Sequence, residues 1–308
     1  MRAAAFLCGL LVAGAACAQA VSIEDDRGRA VRLAAPAQRI VALAPSLAEL
    51  AFAAGAGGRL VGVARFSDFP PAARAIPQIG DAARVDFERV AAVKPDLILA
   101  WKSGNAAADV GRLERLGYPV FVSEAARLAD IPRLLRAIGA LAGTLPAAGA
   151  AAAEFEQDIG ALRSRYANAR KVRVFYLIWH RPLLTVNGAH SISDVIALCG
   201  GENVFADVSQ LTPNVSLEAV IAAKPEVIMG GGSAGGEQSF IVQWRETAVE
   251  PLRGRPAYYI NPDHIQRQTP RIVEGAKAVC SALDGVRRRE TRPGPPGTAF
   301  PSSSRRSE

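Results

Sequence analysis

Apolar positions along this chain fall into short continuous runs separated by stretches of helical period. Runs at 39–45, 60–64, 97–101, 119–123, 172–178, 226–230 and 257–260 read as buried strands. Between them, apolar residues recur at helical spacing over 46–55, 86–94, 131–142, 191–199, 216–224, 240–248 and 271–283, and a further helix ends at Gly117. Strands that alternate with helices imply a mainly parallel sheet covered on both faces. Ser22 to Leu33, which alternates poorly, is expected to form an edge strand or hairpin. Ser46 is expected to cap the first helix, with Glu49 three positions on completing a capping box.

One unit occurs twice. Asp86-Phe-Glu-Arg-Val-Ala-Ala-Val-Lys-Pro-Asp-Leu-Ile-Leu-Ala-Trp101 is matched, 130 positions later, by Ser216-Leu-Glu-Ala-Val-Ile-Ala-Ala-Lys-Pro-Glu-Val-Ile-Met-Gly230. Glu88 and Glu218, Lys94 and Lys224, and Pro95 and Pro225 fall in register. Each copy opens on a good N-cap residue, meets a proline that stops the helix, and continues as an apolar run. The repeat predicts two similar Rossmann-like α/β lobes with central, mainly parallel sheets and a ligand cleft between them. Residues 147–170 break the rhythm with an alanine-rich helical stretch carrying Phe155, Ile159 and Leu162 on one face. A helix of that length spans roughly 36 Å and can bridge two lobes. The expected organisation is a leader over 1–20, lobe one over 21–145, a linking helix over 146–170, lobe two over 171–285 and a tail over 286–308.

Composition changes this picture mainly at the ends. Half the residues are apolar and the net charge is +7, but Arg287, Arg288, Arg289, Arg292, Arg305 and Arg306 all lie in the last 22 residues. That Pro-, Gly- and Ser-rich tail has little to bury and is expected to be disordered. No nucleic-acid-binding module is evident. At the other end, Arg2 precedes an apolar stretch from Ala3 to Ala16 and then Ala18-Gln19-Ala20, the layout of a cleavable export signal. Lipidation at Cys17 is the alternative. Either way the body of the protein is expected in an oxidising compartment outside the cytoplasm, where Cys199 and Cys280 remain as an even pair. A disulfide and two separate buried thiols are both compatible with that count.

In open parallel sheets, ligands bind beyond the carboxyl ends of the strands. Phe66, Trp101 and Trp179 stand directly after predicted strands, where aromatic faces suit a large planar ligand with polar edges. Asp263, His264, Gln266 and Arg267 cluster in a short segment able to reach amide or phosphate groups. A local Asp263–Arg267 ion pair explains their spacing equally well. Catalytic motifs are lacking: there is no Gly-x-Ser-x-Gly elbow, and the glycine loop 230–236 lacks the Lys-Ser/Thr of a phosphate loop. His180, His190 and His264 form no close pair, so no protein-built metal site is expected. Glu88 and Glu218 each favour a helix dipole by roughly 0.3–1 kcal/mol. Their equivalent placement also suits a two-fold symmetric partner carrying matching cations.

The segments Arg39-Ile-Val-Ala-Leu-Ala-Pro-Ser-Leu-Ala-Glu-Leu50, Phe66-Ser-Asp-Phe-Pro70, Phe87-Glu-Arg-Val-Ala-Ala-Val-Lys-Pro-Asp96, Ala100-Trp101, Cys199-Gly-Gly-Glu-Asn-Val-Phe205 and Pro270-Arg-Ile272 resemble the motifs of the periplasmic cobalamin (vitamin B12)-binding proteins of bacterial ABC importers. The likeness runs from about Arg39 to Leu283. It implies a monomeric binding protein, not an enzyme and without a cofactor of its own, that captures a corrinoid and delivers it to the permease dimer in the inner membrane. It implies ligand contacts from Phe66, Trp101, Asp263, His264, Ile265, Gln266 and Arg267, a Cys199–Cys280 disulfide, and docking on the permease through Glu88 and Glu218. The chain departs from the pattern where Phe66 replaces a tyrosine, and where Asp81-Ala82 and Thr212 stand in place of tryptophans. A less aromatic cleft leaves complete cobalamin, a cobinamide-like precursor and other corrinoids open. Several motifs are shared with haem and siderophore relatives, which are the alternative ligands. A corrinoid- or tetrapyrrole-processing enzyme is a third reading, for which the chain offers no acid–base pair.

Overall fold

The computed structural model describes residues 20–231 and 236–290. The expected leader with Cys17, part of the glycine loop, and the tail beyond Glu290 lie outside the described residues.

Two four-stranded sheets, parallel throughout, organise the chain. The first has the order β4-β3-β5-β6, built from β3 (Ile40–Ala42), β4 (Leu60–Val63), β5 (Leu97–Trp101) and β6 (Val120–Ser123). The second has the order β10-β7-β11-β12, from β7 (Val172–Leu177), β10 (Gly201–Asn203), β11 (Val227–Gly230) and β12 (Ala257–Tyr259). Laid side by side, the orders match strand for strand, with the repeated units supplying β5 and β11. The strand at Gly201–Asn203 is too short and too glycine-rich to read as one from sequence, yet it holds the place in lobe two that β4 holds in lobe one. A hairpin of β1 (Val21–Glu24) and β2 (Ala30–Leu33) packs against lobe one, one of the two forms expected for the poorly alternating stretch 22–33. A second small hairpin, β8 (Trp179–His180) with β9 (Leu183–Leu184), follows β7.

The repeated unit is held in the same way in both lobes. Asp86 and Ser216 cap their helices, α2 (Phe87–Ala92) and α7 (Leu217–Ala222), by accepting from Arg89 N and Ala219 N. Lys94 and Lys224 take φ of 44° and 49°. A residue before proline is pushed out of the right-handed helical region, so each helix stops ahead of its Lys-Pro pair. An arginine then ties the helix end to the neighbouring strand: Arg39 donates to Val93 O at 2.7 Å, and Arg173 to Ala223 O at 2.7 Å. Asp96 and Glu226 accept from the backbone N of these same arginines, at 2.9 and 2.8 Å.

Between the lobes, α4 (Asp130–Ala142) turns through Gly143 into α5 (Leu145–Tyr166), the 22-residue helix anticipated at 147–170. Gly143 has φ of 66°, a left-handed C-cap that costs glycine nothing. The final helix, α10 (Ile272–Glu290), runs past the expected end at Leu283 because Arg287 is anchored, donating to Cys199 O, Gly200 O and Arg170 O. Cys199, at the end of α6 (Ser191–Leu198), and Cys280 form a disulfide across 81 residues of chain. The outer face of each sheet packs its own apolar cluster. A third cluster runs without a break from the inner side of lobe one through α4, α5 and α10 into lobe two. The joint is therefore a shared core as well as a stiff helix, which disfavours wide hinge motion.

Candidate functional site

A cavity of about 320 Å³ lies between the lobes, beyond the carboxyl ends of both sheets. Lobe one contributes Trp101, Ser103 and Glu124 to Ala126, and lobe two contributes Ile178, His190 to Ile192, Leu211, Thr212, Gln266 and Gln268.

Trp101 ends β5, and its ring is set by three contacts. Its indole Nε1 donates to Glu124 Oε1 at 3.2 Å, and its backbone N donates to Asn105 Oδ1 at 2.7 Å. Asn105 is buried, with its amide donating to Leu43 O and Ala82 O. The ring also lies flat on Gly104, where an added Cβ would come within 1.7 Å of it. Only glycine permits that approach. Glu124 additionally accepts from Ser103 N at 2.9 Å, so one carboxylate orders both the ring and the turn beside it.

Phe66 is 67 % exposed and Trp179 50 %, and neither is among the residues lining the cavity; Phe69 and Leu211 are also exposed, and of these Leu211 lines it. Phe66 has φ of 66°, an uncommon conformation for a large side chain outside glycine-rich turns. Its ring projects outward with the Arg65 guanidinium 5.1 Å from the centroid.

His190 lines the cavity and caps α6 with Nδ1, which accepts from Ile192 N at 3.1 Å. Burial pushes its pKa down to about 4, so the neutral ring is the working form. His180, the second residue of β8, is buried, its ring 5.7 Å from that of Phe240. Burial, with some help from the charge of Arg181, lowers its pKa also.

Pro262–Ile265 forms one helical turn, α9, capped by Asn261, instead of an irregular loop. That turn separates the residues expected to act together. Ile265 is fully buried in the main core, whereas Gln266 reaches the cavity. Arg267 turns across to lobe one, with Nη1 2.8 Å from Glu49 Oε1 and 2.9 Å from Asp68 Oδ1, while Nη2 is 3.0 Å from Asp263 Oδ1. The local Asp263–Arg267 pair thus exists within a larger network. Burial pushes the Asp68 carboxyl up, but the hydrogen bond and charge of Arg267 outweigh it and hold Asp68 below the usual range.

Glu49 overturns the expected capping box. Helix α1 (Pro45–Ala53) begins with proline at its first position and has no side-chain cap. The Glu49 carboxylate is buried and is used between the lobes. Gln268 and Glu124 carry no signal in the sequence as cleft residues; His190 carries one only as one of three histidines, any of which could meet the metal of a haem or corrinoid. Thr212, one of the positions where the resemblance implies tryptophan, does line the cavity.

Glu88 and Glu218 are exposed in the first turns of α2 and α7. The backbone N–H of Glu218 and the Ser216 hydroxyl lower the pKa of the Glu218 carboxyl. Beside Glu88 lies a concavity of about 600 Å³ whose lining includes Arg65, Arg84, Arg89 and Arg112. Among the described residues no group of three potential ligands is placed to hold a metal ion, and no helix is long and apolar enough to cross a membrane.

The vitamin B12-binding protein of Vibrio parahaemolyticus is 34% identical over 254 residues, covering 82% of this chain and 92% of that relative. The crystal structure of the periplasmic vitamin B12-binding protein BtuF of Vibrio cholerae superposes with a TM-score of 0.74 at 32% identity, covering 82% of this chain and 99% of that one. The periplasmic haem-binding protein RhuT from Roseiflexus shares the fold, with a TM-score of 0.70 at 22% identity and coverage of 81% and 98%. The match to the periplasmic binding protein family extends over residues 40–248, and with it the two-lobed architecture and the interlobe cleft have their place: the chain belongs to the periplasmic binding protein family.

Proposed function

We propose that this protein captures cobalamin or a related corrinoid between its lobes in the periplasm and delivers it to the permease of an ABC importer. The observation that carries this is the interlobe cavity with Trp101 braced at its edge, in a chain one-third identical over most of its length to vitamin B12-binding proteins. No bond is made or broken. The corrinoid face rests on Trp101 with Phe66 and Trp179 at the rim, and its amide edge meets Gln266 and Gln268, with Asp263 and His264 nearby. Arg267 adds to this edge only through donors left over from its ion pairs, and Ile265 supports the site from the core. A cavity near 320 Å³ is at the small end of ligand sites, typically about 300–1,000 Å³. A corrinoid therefore enters with part of its periphery in solvent and with a small rotation of the lobes. Residues 1–20 act as the export signal, and Glu88 and Glu218 dock on the permease dimer.

Titration of the purified protein with cyanocobalamin, dicyanocobinamide and haemin tests the assignment. Corrinoid binding well below about 10 µM supports it, since receptors of importers work in the range where binding exceeds roughly 7 kcal/mol. Failure of both corrinoids to bind at that concentration refutes it. Tight haemin binding with a Soret band instead places the protein with its haem-binding structural neighbours.

A further inference from the structure

The segment joining α9 to α10 has two alternating faces. Gln266 and Gln268 line the ligand cavity. Arg267, Thr269 and Arg271, the residues between and beyond them, all reach across to a single side chain of lobe one, Glu49 on α1. Its Oε1 accepts from Arg267 Nη1 at 2.8 Å and from Arg271 Nη2 at 2.6 Å. Its Oε2 accepts from Arg271 Nε at 2.9 Å and from Thr269 Oγ1 at 3.0 Å. Glu49 is only 4 % exposed, and Thr269 is fully buried. Four donors on one buried carboxylate fill its accepting capacity and offset the cost of desolvating it.

The same strip holds the lip of lobe one. Asp68 pairs with Arg267, Phe66 O accepts from Arg267 Nη2 at 3.4 Å, and the Arg271 guanidinium lies 4.0 Å above the Phe69 ring. The lobes also meet through Arg127, which pairs with Asp194 at 2.5 Å and donates to Gly188 O at 2.8 Å. Glu49 differs from that contact because the residues it grips alternate with residues of the cavity wall.

From this geometry we infer that Glu49 is a positioning residue for the ligand site: by clamping the 266–271 strip from the opposite lobe, it sets where Gln266 and Gln268 stand and how far apart the lobes sit. It is not among the residues lining the cavity and acts through Arg267, Thr269 and Arg271. Arg267, in turn, serves chiefly as an interlobe strap. Buried ion pairs tolerate the loss of one partner poorly, because an uncompensated charge is left behind. Losing Glu49 therefore strips Arg271 and Thr269 of their carboxylate partner and leaves Arg267 paired to Asp68 and Asp263, which loosens the strip that carries them.

The test uses Glu49→Gln, Arg271→Gln, the double variant, and the milder Arg271→Lys, which keeps the charge and loses the forked geometry. Each is measured at 25 °C for dicyanocobinamide affinity and for amide hydrogen exchange in residues 262–271. The choice of probe ligand rests on the corrinoid assignment; hydrogen exchange does not. Glu49→Gln is expected to raise Kd about tenfold, as when the binding-competent fraction falls to roughly one tenth. Exchange in 262–271 should rise while the amides of β5 and β11 stay protected. The double variant should lose no more than the poorer single variant, because both act through one contact. Arg271→Lys should raise Kd about threefold, and it decides the matter if Glu49→Gln fails to fold. A lowered Tm with Kd and strip exchange unchanged overturns the inference, leaving Glu49 a merely structural residue. If the wild-type protein binds no corrinoid, the functional assignment fails, and the clamp then stands or falls on strip exchange alone.

Discussion

Acidification is expected to weaken this protein through His190. Its pKa is held down to about 4 by burial, against an ordinary value near 6.5 in the unfolded chain. Between those values the unfolded state binds the proton and the folded state does not, so stability falls as pH drops from about 6.5 and levels off below about 4. Above about pH 6.5 the term vanishes. Linkage gives a loss of about 2 kcal/mol between pH 7 and pH 4.5 from this residue alone. The structural cause is specific: protonating Nδ1 removes the acceptor that caps α6 at Ile192 N, and it places charge at the cavity wall. His190→Asn is the informative substitution, since asparagine caps helices well and does not titrate. Urea unfolding of both proteins at the two pH values isolates the term, because other groups titrate in common. Among these is Asp194 one turn on, pushed up by burial and held by Leu128 N and Arg127. The wild-type protein should lose about 2 kcal/mol more than the variant on acidification. Equal losses, within about 0.5 kcal/mol, refute the claim that the folded state excludes the proton from this ring.

Reducing Cys199–Cys280, or replacing both with alanine, opens a loop closed across 81 residues. The chain-entropy account gives about 4.5 kcal/mol of lost stability, measurable as a lower urea midpoint with a larger m-value, because the unfolded chain expands once the loop is open. Trp101→Ala should weaken corrinoid binding at least tenfold by calorimetry with little effect on Tm, since the side chain is only partly buried at the cavity edge; unchanged affinity removes Trp101 from the site. Glu88→Ala combined with Glu218→Ala should leave ligand affinity intact and abolish uptake in reconstituted importer. Normal uptake by that variant would reduce both carboxylates to helix-end residues.

Much of the fold is written locally. The period of apolar residues, the capped helices and the Lys-Pro stops of the repeated unit depend on neighbours within a few positions, so they are legible one segment at a time. The repeat exposes the two-lobed plan because 86–101 and 216–230 solve the same local problem twice. Trp101 was legible as a residue of the cavity because it ends a buried strand, where chain direction alone brings a side chain to the sheet's carboxyl edge. The strand at Gly201–Asn203 was not legible, because its pairing with β7 defines it more than its composition does.

Residues 46–49 show the limit most clearly. Their spacing matches a capping box, and the local rule fails because Glu49 answers to groups 218 to 222 positions away. The energy of a carboxylate gripped by two guanidiniums exceeds that of a helix cap, and no window of sequence contains both partners. Likewise Arg267 reads as a ligand contact by its position in a loop, and only the packing of one lobe against the other shows its donors already engaged. The sequence by itself determined the elements, their order and the likeness of the lobes, since these follow from short-range sterics and burial. Tertiary structure alone decided which polar side chains face the cavity and which hold the lobes together. That choice depends on charges and hydrogen bonds meeting across a distance in the chain that local patterns do not record.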